Sequence, residues 1–95
     1  MALIKDATRK NYHSTYKEIF ESHALDRKTK ELIAIAASAI TGCEGCLMGH
    51  IRRAKALGST MDEIKEAVGV AFAVSAAAVV DHTDVVSALM NLQEE

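Results

Sequence analysis

Between Ala67 and Val80 run fourteen residues without a charge, with Val68, Val70, Phe72, Val74, Val79 and Val80 spread around a helical circumference. The run is shorter than the roughly 20 apolar residues of a membrane span, so no membrane partner is expected. A helix that is apolar on every side must instead be covered on every side. A chain of 95 residues has little other material to do that. The run therefore predicts a homo-oligomer, with Gly69, Ala71, Ala73 and Ala76 to Ala78 small enough to let helices approach closely. The competing arrangement is a central helix wrapped by the chain's own remaining helices.

The rest of the sequence points to an all-α fold in a single domain over residues 1–95. There is no proline, no strict apolar alternation and no Asn-Gly or Asp-Gly hairpin signal, and apolar residues recur at three and four. Five helices are expected. The first covers Lys10 to Ser22, with Tyr12, Tyr16, Ile19 and Phe20 as its buried stripe. The second follows an Asp26 N-cap, with Leu25 as a staple, and ends at Thr41, where Gly42 takes a left-handed C′ position. The third runs from Cys43 to Gly58. A capping box of Thr60 and Glu63 opens a fourth that reaches Ser75, and a fifth covers Ala77 to Leu92.

Composition narrows the function. Net charge is −2 with both signs interspersed, and aromatic residues are 4% of the chain, which provides neither a phosphate-tracking surface nor a stacking platform for nucleic acid. Met1 to Tyr16 carries charges and lacks the apolar run of a signal peptide, so a cytoplasmic location is expected. In a reducing compartment, a lone cysteine pair points to catalysis or metal binding before a permanent staple.

That pair is Cys43 and Cys46, the only cysteines, with His50 four residues beyond the second. At about 100° per residue the three share one sector of the third helix with Leu47, Ala54 and Leu57, so the thiols are expected to face the rim of the core. Cys43 stands at the helix N-terminus, where unpaired N–H groups and the positive dipole end favour a thiolate, and Cys46 is one turn further in. His50 is placed to take the proton of Cys46 directly or through a water. Glu31 is the last charge before the uncharged run Leu32 to Ile40, which is expected to be buried. In a hairpin about Gly42, Glu31 lies about 16 Å back along one helix and His50 about 12 Å along the other, while Cys46 is at about 6 Å. Glu31 is therefore a better partner for His50 than for either sulfur, as a carboxylate that orients an imidazole.

Glu31, the Cys43-x-x-Cys46-x-x-x-His50 motif, the preceding Leu25-Asp26-Arg27-Lys28-Thr29-Lys30-Glu31-Leu32-Ile33, and the following Ala54-x-x-x-Gly58 and Glu63-Ile64 form one pattern. It resembles the alkylhydroperoxidase D-like domain of the carboxymuconolactone decarboxylase superfamily, from about Phe20 to Ala78. The resemblance implies an all-helical fold assembled as trimers or hexamers and a thiol-dependent peroxidase acting on a hydroperoxide, with an external dithiol reductant and no cofactor. It also implies that Cys46 is the peroxidatic thiol, Cys43 the resolving thiol, and Glu31 with His50 the proton relay. Gly45 stands where the alkylhydroperoxidase has a histidine. That departure leaves a disulfide reductase or redox relay without peroxidase turnover as an alternative. The decarboxylase branch typically lacks the cysteine pair, so the lactone reaction is a poor assignment.

A non-enzymatic alternative uses the same residues. Cys43, Cys46, His50 and Glu31 form a four-ligand set that zinc would accept, giving a metal-stabilised binding or assembly module. Against it, structural zinc compensates for a meagre core, and 49% of this chain is hydrophobic. A third alternative is an assembly subunit with vestigial cysteines. His82, between Asp81 and Asp84, is a candidate for reaching a neighbouring subunit's site, with a solvated turn as the plainer expectation, and His13 and His23 are expected at the surface.

Overall fold

A computed structural model describes residues 1–95, and the chain is helical without strands. Four helices are present: α1 (Asp6–Ile19), α2 (Arg27–Thr41), α3 (Glu44–Ala56) and α4 (Met61–Leu89). The expected caps form. The Asp26 side chain accepts from the Thr29 N–H at 2.8 Å, Gly42 adopts φ 74° at the end of α2, and Thr60 and Glu63 make a reciprocal capping box.

The expected break near Ser75 does not occur. The fourth and fifth predicted helices are one helix of 29 residues, about 43 Å long at 1.5 Å per residue. Ending a helix strands backbone donors and acceptors that need caps. No glycine or proline lies between Ser75 and Val80 to supply a stop, and alanine is the strongest helix former.

α2 folds back on α3 about Gly42 and also packs along α4, and the core lies where the three meet. Ile35, Ala54 and Ile64 are buried there, flanked by Leu32, Leu47, Ile51 and Ala67. The core is small. Only 8 of 95 residues are buried, and the radius of gyration is 18.0 Å, against about 12 Å for a compact chain of this length. Val70, Phe72, Val74, Val79 and Val80 on α4 are all more than half exposed, so the arrangement in which the chain wraps its own apolar helix is excluded. The Leu32 to Ile40 run is likewise buried on one face only, with Ile33 and Ile40 about half exposed.

α1 differs most from expectation. No residue of it is buried, and Tyr12 and Ile19 of the expected stripe are exposed. No Cα of α1 lies within 8 Å of a Cα of α2, α3 or α4. Instead α1 is held through side chains. Lys30 on α2 donates to the carbonyls of Ile19 and Glu21, at 2.7 Å each, and Tyr16 and Phe20 reach His50 on α3.

Candidate active site

The site begins with the α2–α3 turn. Gly42 ends α2 in the left-handed region, and Cys43 becomes the N-cap of α3, its Sγ accepting from the Cys46 N–H at 3.2 Å. The N-cap geometry brings residues i and i+3 together, and Cys43 and Cys46 are joined as a disulfide. Cys46 is exposed and Cys43 half-buried, contrary to the expectation that both thiols turn toward the core. α1 stands off from this first turn of α3 across a cavity, so Cys46 stays exposed on the cavity's lining.

Beyond the cysteines the chain buries two charged or titratable groups against each other. Glu31 is 1% exposed and His50 3%. His50 Nδ1 lies 2.6 Å from Glu31 Oε2, and Arg53 Nε donates to Glu31 Oε1 at 3.1 Å. A buried carboxylate requires such partners, because leaving a charge unpaired in a low-dielectric setting is costly. Its acceptor capacity assigns the imidazole proton to Nδ1. Arg53 Nη2, 3.2 Å from the same nitrogen, then makes a packing contact there and no hydrogen bond.

With Nδ1 protonated, Nε2 is an acceptor, and the Tyr16 hydroxyl donates to it. Burial lifts the Tyr16 phenol above its ordinary value of 10.0, with Tyr12 adding to the rise, Arg53 opposing it and Glu31 adding again. Tyr16 is therefore a protonated donor at neutral pH. Its ring stacks on Phe20 at 4.7 Å, and Phe20 stacks on His50 at 5.2 Å. The imidazole is thus fixed by a carboxylate, a phenol and an aromatic face.

Cys46, Tyr16, Glu31, His50 and Arg53 line one cavity of about 620 Å³ between α1 and the α2–α3 hairpin. The sequence-derived residues Glu31, Cys46 and His50 therefore share a single space, with Cys43 bonded at its edge. His50 Nε2 is directed at Tyr16, so any proton path from Cys46 to His50 by way of that nitrogen meets a phenol first. No three His, Cys, Asp or Glu side chains converge on a common metal point, and the Glu31 carboxylate is already committed to His50 and Arg53.

Two residues of this arrangement escape the sequence reading. Arg53 lies one turn past His50, and that i, i+3 spacing on one helix face is the signal that points to it. Tyr16 is 34 residues from its partner and gives no such signal beyond its i, i+4 pairing with Phe20.

Residues 7–87 match the carboxymuconolactone decarboxylase family. The chain belongs to that family. The resemblance drawn from the motif, to an alkylhydroperoxidase D-like domain of that superfamily, is supported by further relatives. The chain is 37% identical over 75 residues to "uncharacterized protein 4 in cox locus" of Paracoccus denitrificans, covering 79% of this chain and 68% of that one. It is 45% identical over 49 residues to the alkyl hydroperoxide reductase AhpD of Anaeromyxobacter sp. (strain K), covering 52% of this chain but 26% of that one.

Solved structures place this family member in the same fold. A carboxymuconolactone decarboxylase family protein of Thermotoga maritima, suggested to take part in an antioxidative response, aligns with a TM-score of 0.72 at 28% identity, over 85% of this chain and 84% of that one. A Methanobacterium thermoautotrophicum protein shares the fold with a TM-score of 0.79 at 22% identity, over 84% and 90% of the two chains. No helix is long and apolar enough to cross a membrane.

Proposed function

We propose that this family member is a thiol-dependent hydroperoxide reductase that cycles the Cys43–Cys46 pair. The observation that carries the reading is the shared cavity, which Cys46 lines together with the hydrogen-bonded chain Tyr16–His50–Glu31. In the reduced protein, Cys46 gives up its proton to this chain, with Tyr16 passing a proton to His50 Nε2 as it accepts one from the sulfur side. Glu31 stabilises the imidazolium so formed.

The Cys46 thiolate then attacks the terminal oxygen of the hydroperoxide, the O–O bond breaks, and the alkoxide leaves with the proton held by His50 and Tyr16. Cys46 becomes a sulfenic acid. Cys43 condenses with it, releasing water and forming the disulfide, and an external dithiol reduces that disulfide by exchange while being oxidised itself. A cytoplasmic location, where such dithiols are maintained, accords with this cycle. The exposed face of α4 is assigned to self-association in a trimer or hexamer.

Thiol titration of the reduced protein before and after one equivalent of an organic hydroperoxide, with intact mass, tests the reading. Loss of both thiols and of two hydrogens is expected. Survival of both thiols under peroxide, with ready oxidation by a disulfide donor, would replace the peroxidase with a dithiol exchange function.

The second reading, dithiol exchange without peroxidase turnover, rests on Gly45, which stands where the alkylhydroperoxidase has a histidine. A Cβ at Gly45 would meet nothing within 4 Å, so a histidine fits there without disturbing the fold. Gly45→His is expected to retain the melting temperature and to speed peroxide consumption if a second imidazole near Cys46 is what limits turnover.

A further inference from the structure

The cavity beside Cys46 has two kinds of lining that the proton chain does not use. One wall is aromatic. Tyr12 and Tyr16 on α1 and Phe20 at its C-cap stand one turn apart, with Tyr12 and Tyr16 edge to face at 5.7 Å and Tyr16 stacked on Phe20. The other lining is cationic. Lys17 and Arg27 border the cavity, and neither has a carboxylate within salt-bridge distance, whereas the Arg53 charge is balanced by Glu31.

Glu21 is the one further acid on the lining, and it pairs with neither cation. The Arg27 side chain makes no hydrogen bond within the protein, although its backbone N–H is bound to Ser22 Oγ at 3.2 Å. A guanidinium with its donors unspent is suited to a planar, two-oxygen anion. An aromatic wall beside it is suited to an apolar chain.

Resting on the peroxidase reading for the identity of the reactive end, we propose that the cavity takes an amphiphilic carboxylate, namely a hydroperoxide borne on an aliphatic acid. Arg27, with Lys17, holds the carboxylate, and the chain lies along Tyr12, Tyr16 and Phe20 so that the peroxide reaches Cys46. The chemistry at sulfur is unchanged from the cycle above; the acid group supplies position.

Tyrosine fluorescence reports the cavity directly, because the chain has two tyrosines, both on the lining, and no tryptophan. The probes are octanoate and its uncharged counterpart, octanol, titrated into the protein at low and at moderate salt. Octanoate is expected to bind more tightly than octanol by about three- to fivefold, the range of a solvent-exposed charge pair, and to lose that advantage with salt or in Arg27→Gln. Equal binding of the two probes, or an unchanged ratio in Arg27→Gln, overturns the proposal.

A kinetic arm separates this proposal from the reading beneath it. Oxidation of the reduced protein by a fatty-acid hydroperoxide and by its methyl ester is expected to favour the acid, with the ratio falling toward one in Arg27→Gln. If neither oxidises Cys46 while octanoate still binds through Arg27, the peroxidase reading falls and the carboxylate site stands. If both oxidise it at one rate, the carboxylate site falls and the peroxidase reading stands.

Discussion

Glu31 and His50, nineteen residues apart and on different helices, meet at 2.6 Å through Oε2 and Nδ1 in almost complete exclusion from solvent. This one contact fixes the tautomer, turns Nε2 toward Tyr16 and gives the α2–α3 hairpin a polar register point. Its removal should therefore affect both chemistry and folding.

Glu31→Gln keeps an acceptor for the Nδ1 proton but removes the charge that stabilises an imidazolium. The rate of Cys46 oxidation by peroxide, followed by stopped-flow, is expected to fall on the order of 10²-fold. Glu31→Ala leaves His50 and Arg53 without their carboxylate and is expected to cost about 3–5 kcal/mol, read from denaturant melts.

Tyr16→Phe retains the ring stack on Phe20 and removes only the hydroxyl donated to His50. A stability loss of about 1 kcal/mol is expected, with a larger effect on the rate of thiol oxidation. Because the folded phenol has a raised pKa, folding favours its neutral form. That contribution is complete below the ordinary value of 10.0 and disappears as pH rises through the folded value. The difference between wild-type and Tyr16→Phe absorbance titrations at the phenolate band should show ionisation above 10.0; a midpoint at or below it would remove the burial argument.

Acid should loosen two helix starts. The Asp26 carboxyl is held below its ordinary 3.8 by the Thr29 backbone and side chain. Glu63 is held below 4.5, first by Lys28 and then by the Thr60 backbone. Depressed carboxylates stabilise the fold above their unfolded values, and the contribution is lost as pH falls through the folded values. Asp26→Asn keeps a cap without the charge, so its stability should lie below wild type at neutral pH and converge with it under acid below 3.8.

The exposed face of α4 supplies a test of assembly. Phe72 is 77% exposed and Val80 60% in the isolated chain. Sedimentation of the wild-type protein is expected to give a mass well above 10.2 kDa, and Phe72→Glu with Val80→Glu is expected to lower it. A wild-type protein that sediments as a monomer would contradict self-association through this face.

The helix class, the caps at Asp26, Gly42 and Thr60, and the meeting of Glu31 with His50 were all legible in the chain, because each depends on spacing within one or two adjacent helices. Helical rise and a hairpin at Gly42 suffice to bring residues 31 and 50 level. The helical wheel turns Cys46 toward the core, yet the residue is exposed, because a wheel gives direction and not cover, and the cover depends on where α1 lies. The break expected near Ser75 failed for a related reason. Polarity pattern cannot show a helix end where no cap or glycine enforces one.

Sequence alone thus determined the local chemistry: a dithiol at a helix start, an imidazole one turn on, and an apolar segment too long for this chain to bury. Tertiary structure decided what faces that chemistry. Only the docking of α1 through Lys30, Tyr16 and Phe20 sets a phenol on His50 Nε2 and encloses the cavity beside Cys46. These contacts join residues far apart in the chain through side-chain reach, and no periodicity encodes them.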